Sequence, residues 1–131
     1  MSDINIGTLA EDINDIKMHE IIAFQVPTSS NNYTWYRKYS DGWVEQGGKS
    51  SSIAWHKNGA TISVTLPITM ANSNYLVNAT MGYGSGNWHA PGCRAYPNNA
   101  STISIGLAKP ASDTVENVTA PVYWEVKGMA A

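Results

Sequence analysis

Beyond residue 20, apolar residues recur at every second position in short runs, and turn-forming residues separate these runs. Residues 60–66 show the pattern most clearly, because Ile62, Val64 and Leu66 alternate with serine and threonine. Such alternation predicts strands with one buried face, whereas a helix needs apolar residues every three to four positions. Seven strands are predicted, at residues 21–26, 34–39, 43–47, 60–66, 75–80, 102–107 and 122–126. The expected fold is all-β, a β-sandwich or a small barrel.

Size, cysteine count and charge exclude several classes of protein. The 131 residues suffice for one domain with its own core. A single cysteine, Cys93, can form neither an internal disulfide nor a zinc site built on cysteines. The net charge of −2 argues against a partner nucleic acid and against a polybasic membrane anchor. No run approaches the ~18 apolar residues of a membrane helix, so no membrane insertion is expected.

The first 20 residues form a separate segment. They hold five of the ten acidic residues, and Ile6, Leu9, Ile13 and Ile16 follow the 3-4-3 spacing of a coiled-coil seam. A capping box at residues 8–11 predicts that a short helix begins there. This helix either packs on its own domain or ends a bundle between identical chains. Isoleucine at seam positions favours a trimer over a dimer.

Nothing in the sequence indicates catalysis. The histidines are far apart, and no HExxH or GxSxG motif occurs. Glycoside hydrolysis needs two carboxyl groups that flank the bond, and the spacing of Asp41, Glu45 and Glu125 does not support such a pair. We therefore expect no enzymatic activity, no cofactor and no metal site.

Aromatic composition indicates binding instead. The chain has five Trp and seven Tyr but a single Phe. Trp and Tyr combine an apolar ring with a polar group, so they suit partly solvated surfaces and the apolar faces of sugars. Trp35, Trp43, Tyr75 and Trp124 lie in predicted strands and are expected in the core or in subunit contacts.

Residues 82–100 contain four glycines and two prolines and are predicted to form a long loop, a kind of segment that is often functional. Its candidate receptor-binding residues are Tyr83, Asn87, Trp88, His89, Arg94 and Tyr96. The alternative is a loop held down by its own buried aromatic side chains. Cys93 is expected to be a small buried residue.

One segment resembles a known family. Residues 34–48, TWYRKYSDGWVEQGG, resemble the "WYRxYSDGWxEQGG" segment of bacteriophage and prophage tail-fibre tip domains. Residues 62–68 followed by Asn74 and Tyr75 are similar to the family's "VTLPI…NY" strand and turn. An aromatic strand at residues 122–124, followed by Gly128, is similar to its closing strand.

The resemblance implies an antiparallel β-sandwich tip at residues 21–131, preceded by a helical neck at residues 1–20. It further implies a parallel homotrimer at the distal end of a virion's tail fibre, joined to an upstream fibre shaft. Such a tip binds a polysaccharide or protein receptor on a bacterial surface during adsorption. Two alternatives stay open, which are a purely structural trimerisation cap and a free-standing carbohydrate-binding lectin module.

Overall fold

A computed structural model describes residues 19–55, 60–84, 92–108 and 118–131. The predicted neck at residues 1–20 lies almost wholly outside the described residues. The described ranges contain no helix with the length and apolar character needed to cross a membrane. Their elements are β1 (Ile21–Gln25), a 3-10 helix (Ser29–Asn31), β2 (Trp35–Tyr39), β3 (Trp43–Lys49), β4 (Ile53–Trp55), β5 (Ala60–Thr65), β6 (Leu76–Met81), β7 (Gly92–Pro97), β8 (Thr102–Ala108), β9 (Val118–Ala120) and β10 (Val122–Met129).

These strands form an antiparallel β-sandwich. The large sheet has the strand order β1-β2-β3-β10-β6, and the small sheet has the order β5-β8-β7. A further pair joins β4 to β9, and every ladder between named strands is antiparallel. The all-β prediction is therefore confirmed.

Alternate residues of the two sheets meet in one core. In the large sheet, β10 buries Val122, Trp124 and Val126, and β3 buries Val44. The small sheet contributes three fully or almost fully buried residues of its central strand β8, which are Ile103, Ile105 and Leu107. The residues of β10 between these buried ones, such as Tyr123, face solvent on the outer side of the sheet, because successive side chains of a strand point to opposite faces.

The seven predicted strands are confirmed, with ends that differ by a few residues. The prediction of an irregular loop over residues 82–100 is wrong for β7, and β4 and β9 are strands that the seven predicted ones do not include. The inward residues of β7 are small, since Cys93 and Ala95 face the core, so the alternation is weak in the sequence. Pro97 is tolerated because β7 is an edge strand, paired only with β8.

Residues 40–42 join β2 to β3 in a hairpin, as the Asp41-Gly42 pair between two predicted strands indicates. Gly42 has a φ of 91°, in the left-handed region that glycine adopts without steric cost. The Asp41 carboxylate accepts a hydrogen bond from the Trp43 N–H at 3.0 Å, and its other oxygen lies 2.7 Å from the Nδ1 atom of His19. The bond from Trp43, followed by the one from His19, lowers the pKa of Asp41. His19, just before β1, is thus held against this hairpin.

A buried glutamine connects the two sheets. Gln46 on β3 is 0% exposed, and its side chain faces the core. Its amide nitrogen donates to the Ile68 carbonyl at 2.9 Å, and its amide oxygen accepts from the Ile68 N–H at 2.9 Å. Ile68 lies in the connection that leaves β5 of the small sheet for β6 of the large sheet. This pair of bonds satisfies backbone groups that would otherwise need another partner.

We predict that Gln46→Ala lowers the free energy of unfolding by about 2–5 kcal/mol, because it leaves two backbone groups without partners and opens a cavity. Urea denaturation at neutral pH measures the loss. Gln25→Ala is the matched control, since Gln25 is half-buried and donates only one hydrogen bond, to the Thr34 carbonyl at 2.9 Å. Its expected cost is about 1 kcal/mol or less. Equal costs for the two variants would contradict the role given to Gln46.

Candidate functional site

Of the six candidate receptor-binding residues, the structure describes Tyr83, Arg94 and Tyr96. Asn87, Trp88 and His89 lie outside the described residues. Tyr83 follows β6 and is 86% exposed, so it is not a buried anchor. The prediction that Arg94 and Tyr96 lie in a loop is wrong, since both lie on strand β7.

Arg94 and Tyr96 share the outer face of the small sheet. They are two positions apart on β7, and both belong to its exposed set. The Arg94 guanidinium carbon lies 5.9 Å from the Tyr96 ring centroid, within the range of a cation–π contact. Tyr96 is still 43% exposed. The pair therefore presents a charged donor and an aromatic ring together to solvent.

Small and hydroxyl side chains surround this pair. Across the ladder, Arg94 faces Gly106 and Tyr96 faces Ser104, and one strand further the partners are Thr61 and Ser63. A shallow cavity of about 440 Å³ lies beside Arg94 and Gly106. Such a surface offers hydroxyl groups and one cation, and it suits a polar ligand that is bound by hydrogen bonds.

Cys93 points away from this surface. Its side chain packs against the core, and burial raises the pKa of its thiol. A raised pKa keeps the thiol protonated and weakly nucleophilic near neutral pH. Both facts agree with the interpretation of Cys93 as a packing residue.

Two of the four strand aromatics are core residues, as expected. Tyr75 and Trp124 are buried, and the Tyr75 hydroxyl donates to the Asn99 carbonyl at 2.7 Å. Trp35 and Trp43 are instead half-exposed on the outer face of the large sheet. The Trp43 indole nitrogen lies 3.4 Å from a Glu45 carboxylate oxygen.

The outer face of the large sheet carries a groove that sequence reasoning missed. Its cavity volume is about 700 Å³. The residues that matter for its chemistry are Tyr33, Trp35, Lys49, Asn78, Tyr123 and Glu125. A hairpin centred on Asp41 would pair Trp35 with Gly47, so residues 34–48 do indicate that these two residues share one face of the sheet. The groove itself arises only when β10 and β6 pair beside β3, and those pairings join distant parts of the sequence.

Gly47 shapes this groove. A Cβ atom added at Gly47 would lie 2.7 Å from the Trp35 indole nitrogen and 2.6 Å from the Trp124 carbonyl oxygen. The indole therefore rests directly on the backbone of β3, which only a residue without a side chain allows. The Arg37 guanidinium carbon lies 5.4 Å from the centre of the same ring.

The carboxylates considered for catalysis have basic or backbone partners. Asp41 is held in the hairpin, Glu45 lies 3.9 Å from Arg37, and Glu125 lies 3.3 Å from Lys127. Within the described part of the chain, no three His, Cys, Asp or Glu side chains come together as they would around a metal ion.

Comparisons with known proteins identify the fold. No protein-family model matches the chain, and no curated protein matches it. The R1 pyocin fibre of P. aeruginosa, in a structure of its C-terminal residues 323–701, matches 96% of this chain with a TM-score of 0.58 and 9% identity. This chain covers 32% of that fragment, about a third of its length.

A shorter, N-truncated R1-type pyocin tail fibre matches 98% of this chain and 99% of its own length, again with a TM-score of 0.58 and 9% identity. The R2 pyocin fibre of P. aeruginosa aligns over 97% of this chain and 30% of its own length with a TM-score of 0.49 and 15% identity. The two R1-type matches show that the protein has the fold of a tail-fibre C-terminal domain. That class agrees with the resemblance carried by residues 34–48.

We predict that Gly47→Ala displaces the Trp35 indole and lowers the free energy of unfolding by about 1–3 kcal/mol, because the added methyl group overpacks a filled site. Tryptophan fluorescence follows the displacement, and urea denaturation follows the stability. Gly92→Ala is the matched control, since a Cβ atom there lies 3.7 Å from its nearest neighbour. An unchanged spectrum and stability for Gly47→Ala would contradict the close packing of Trp35.

Proposed function

We propose that this chain is the receptor-binding tip of a phage or phage-like tail fibre. The observation that carries the proposal is the match to the N-truncated R1-type pyocin tail fibre over nearly the whole of both chains. The motif at residues 34–48 supports the same conclusion independently. We place the domain at the distal end of the fibre, beyond an upstream shaft, where it contacts the bacterial surface during adsorption.

The proposed contact surface is the outer face of the small sheet together with the segment that precedes it. Arg94 and Tyr96 are exposed on that face, whereas Tyr83 is exposed beside Tyr33 and Lys49. Asn87, Trp88 and His89 lie between Tyr83 and Arg94 in the sequence. Aromatic rings and a guanidinium group bind both sugars and protein surfaces. The proposed role is adhesion without catalysis, to a surface polysaccharide or a surface protein.

We further propose that the tip is a homotrimer, and the edge strand β1 supports this. Ile21, Ile22, Phe24 and Val26 are between 45% and 68% exposed, and Phe24 is the only phenylalanine of the chain. Among the described residues, β1 pairs only with β2, so none of them covers its other edge. An apolar, open edge invites association unless another chain covers it.

The position of β1 in the chain indicates what covers it. The seam residues of the predicted neck end at Ile16, a few residues before β1 begins. Three parallel necks would therefore bring three copies of β1 together near one axis. Three weak receptor sites on one rigid group bind with far higher avidity than a single site.

The second candidate function is a trimerisation cap that only holds a fibre in register. The apolar edge of β1 favours this function as much as it favours an adhesin. Binding to cells separates the two, because a cap has no need of exposed receptor contacts. A free-standing lectin module is the third candidate, and it would be a monomer in solution.

We predict that Arg94→Ala and Tyr96→Ala each weaken binding of the fluorescently labelled protein to bacteria by about tenfold or more, as expected for a central contact pair. Flow cytometry on a panel of bacterial strains selects one that binds the unaltered protein. Met129→Ala, which alters an exposed residue of the large sheet away from β1 and from the small sheet, is the control and should bind normally. Unchanged binding by both small-sheet variants would show that these residues are not the contact surface.

We predict a mass in solution of three times the chain mass of 14.2 kDa, measured by light scattering. Phe24→Glu should reduce this mass to that of one chain, because a charge cannot be buried at an apolar contact without a partner. Tyr83→Glu places the same charge on a highly exposed aromatic position elsewhere and should leave the trimer intact. A trimer that survives Phe24→Glu would place the subunit contact away from β1.

A further inference from the structure

The groove on the large sheet is built from two rows of residues that cross its strands. One row runs Asn78, Glu125, Gly47 and Trp35 across β6, β10, β3 and β2. The adjacent row places Tyr123 beside Lys49. Neighbouring strands lie about 4.8 Å apart, so four strands span roughly 14 Å, the scale of a short oligosaccharide. The cavity of about 700 Å³ has the size of a ligand site.

One wall of the groove depends on a strained backbone. Asn32 has a φ of 57° and Tyr33 a φ of 56°, both in the left-handed region. This conformation is uncommon for a bulky aromatic residue, and its cost is of the order of 1–3 kcal/mol. The Tyr33 N–H donates to the Thr28 carbonyl at 2.8 Å, and the Lys49 N–H donates to the Asn32 carbonyl at 3.3 Å. These bonds hold a conformation that directs Tyr33 towards the groove.

Lys49 lies between two tyrosine rings. Its ammonium nitrogen is 5.5 Å from the centre of the Tyr33 ring and 5.8 Å from that of Tyr123. In the described part of the chain, no carboxylate lies within 4.0 Å of this ammonium group. Tyr33 and Tyr123 remain 46% and 49% exposed. The wall thus holds two accessible rings and a cation that is free to donate hydrogen bonds to a ligand.

The floor of the groove is polar. Asn78 lies directly across the ladder from Glu125. Among the described residues, the Asn78 side-chain amide has no hydrogen-bond partner, and Glu125 has a single ion pair, with Lys127. The amide can both donate and accept, and the carboxylate can accept from two neighbouring hydroxyl groups. Beside them, Gly47 lets the partly exposed Trp35 indole rest on the backbone of β3.

We infer that this groove binds a short saccharide, with sugar C–H faces on the tyrosine rings and sugar hydroxyls on Asn78, Glu125 and Lys49. An amide, a carboxylate and an ammonium group together match vicinal hydroxyls, which donate and accept at once. The two opposite charges do not favour a polyanion, and the polar floor does not favour an apolar peptide. The inference rests on the proposed function, since a saccharide of the bacterial envelope is one class of receptor for a fibre tip. It adds a site that is separate from Arg94 and Tyr96.

An array of bacterial surface oligosaccharides tests the inference with the whole 131-residue chain. The oligosaccharide that binds best is then titrated in solution by calorimetry. Tyr123→Ala and Asn78→Ala should each weaken its binding by about tenfold or more, the effect of truncating a central contact. Glu125→Gln keeps the size of the side chain and should also weaken binding. Met129→Ala truncates a side chain of similar exposure on β10, outside the groove and outside the small-sheet surface, and should bind the oligosaccharide normally. Tyr96→Ala tests the other candidate surface.

Several results would overturn the inference. It fails if the folded protein binds no oligosaccharide on the array, or if Tyr123→Ala and Asn78→Ala bind as the unaltered protein does. It also fails if Tyr123→Ala lowers the mass in solution, because the groove would then be a contact between copies of the chain. Loss of binding with Tyr96→Ala alone would move the saccharide to the small sheet and leave the proposed function intact. Binding in the groove by a protein that attaches to no bacterial strain would support the site and contradict the proposed function.

Discussion

Two hydrogen bonds between the buried Gln46 side chain and the Ile68 backbone link the large sheet to the connection between the two sheets. Gln46 belongs to the large sheet, and Ile68 belongs to the connection through which the chain changes sheets. A buried amide is costly unless its donor and its acceptor are both used. The Ile68 backbone pairs with both the donor and the acceptor of the Gln46 amide, so these bonds fix the connection against β3. Val44 and Val126 pack in the core beside this contact.

The segment at residues 34–48 serves the core and the surface at the same time. On β3, Val44 and Gln46 face inward, whereas Glu45, Gly47 and Lys49 face outward. A strand allows this because successive side chains leave opposite sides of the sheet. The inward residues position the sandwich, and the outward residues form part of the groove. The segment therefore has an inward half that serves the core and an outward half that serves the surface.

The two outer faces of the sandwich differ in chemistry. The small sheet presents Arg94 and Tyr96 above hydroxyl and glycine positions, and the large sheet presents aromatic walls above an amide and a carboxylate. The edge strand β1 adds an apolar surface of a third kind. A domain that is rigid at Gln46 can carry these surfaces in fixed relative positions. That arrangement suits the proposed tip, which would join its own copies and contact a receptor at the same time.

The sequence by itself determined the all-β class, the hairpin at Asp41 and Gly42, and the inward face of residues 60–66, because alternation and turn chemistry are local properties. For the four aromatic residues of the predicted strands, the sequence indicated core or subunit contact alike, and only the structure separated the buried Tyr75 and Trp124 from the half-exposed Trp35 and Trp43. Only the tertiary structure decided that Arg94 and Tyr96 lie on a strand, since small inward residues and pairing with β8 replace a strong local signal. It alone assembled the groove, because Asn78, Glu125 and Lys49 come from distant segments that meet only in the strand order β3-β10-β6. Long-range pairing is a property of the whole fold, and no local pattern encodes it.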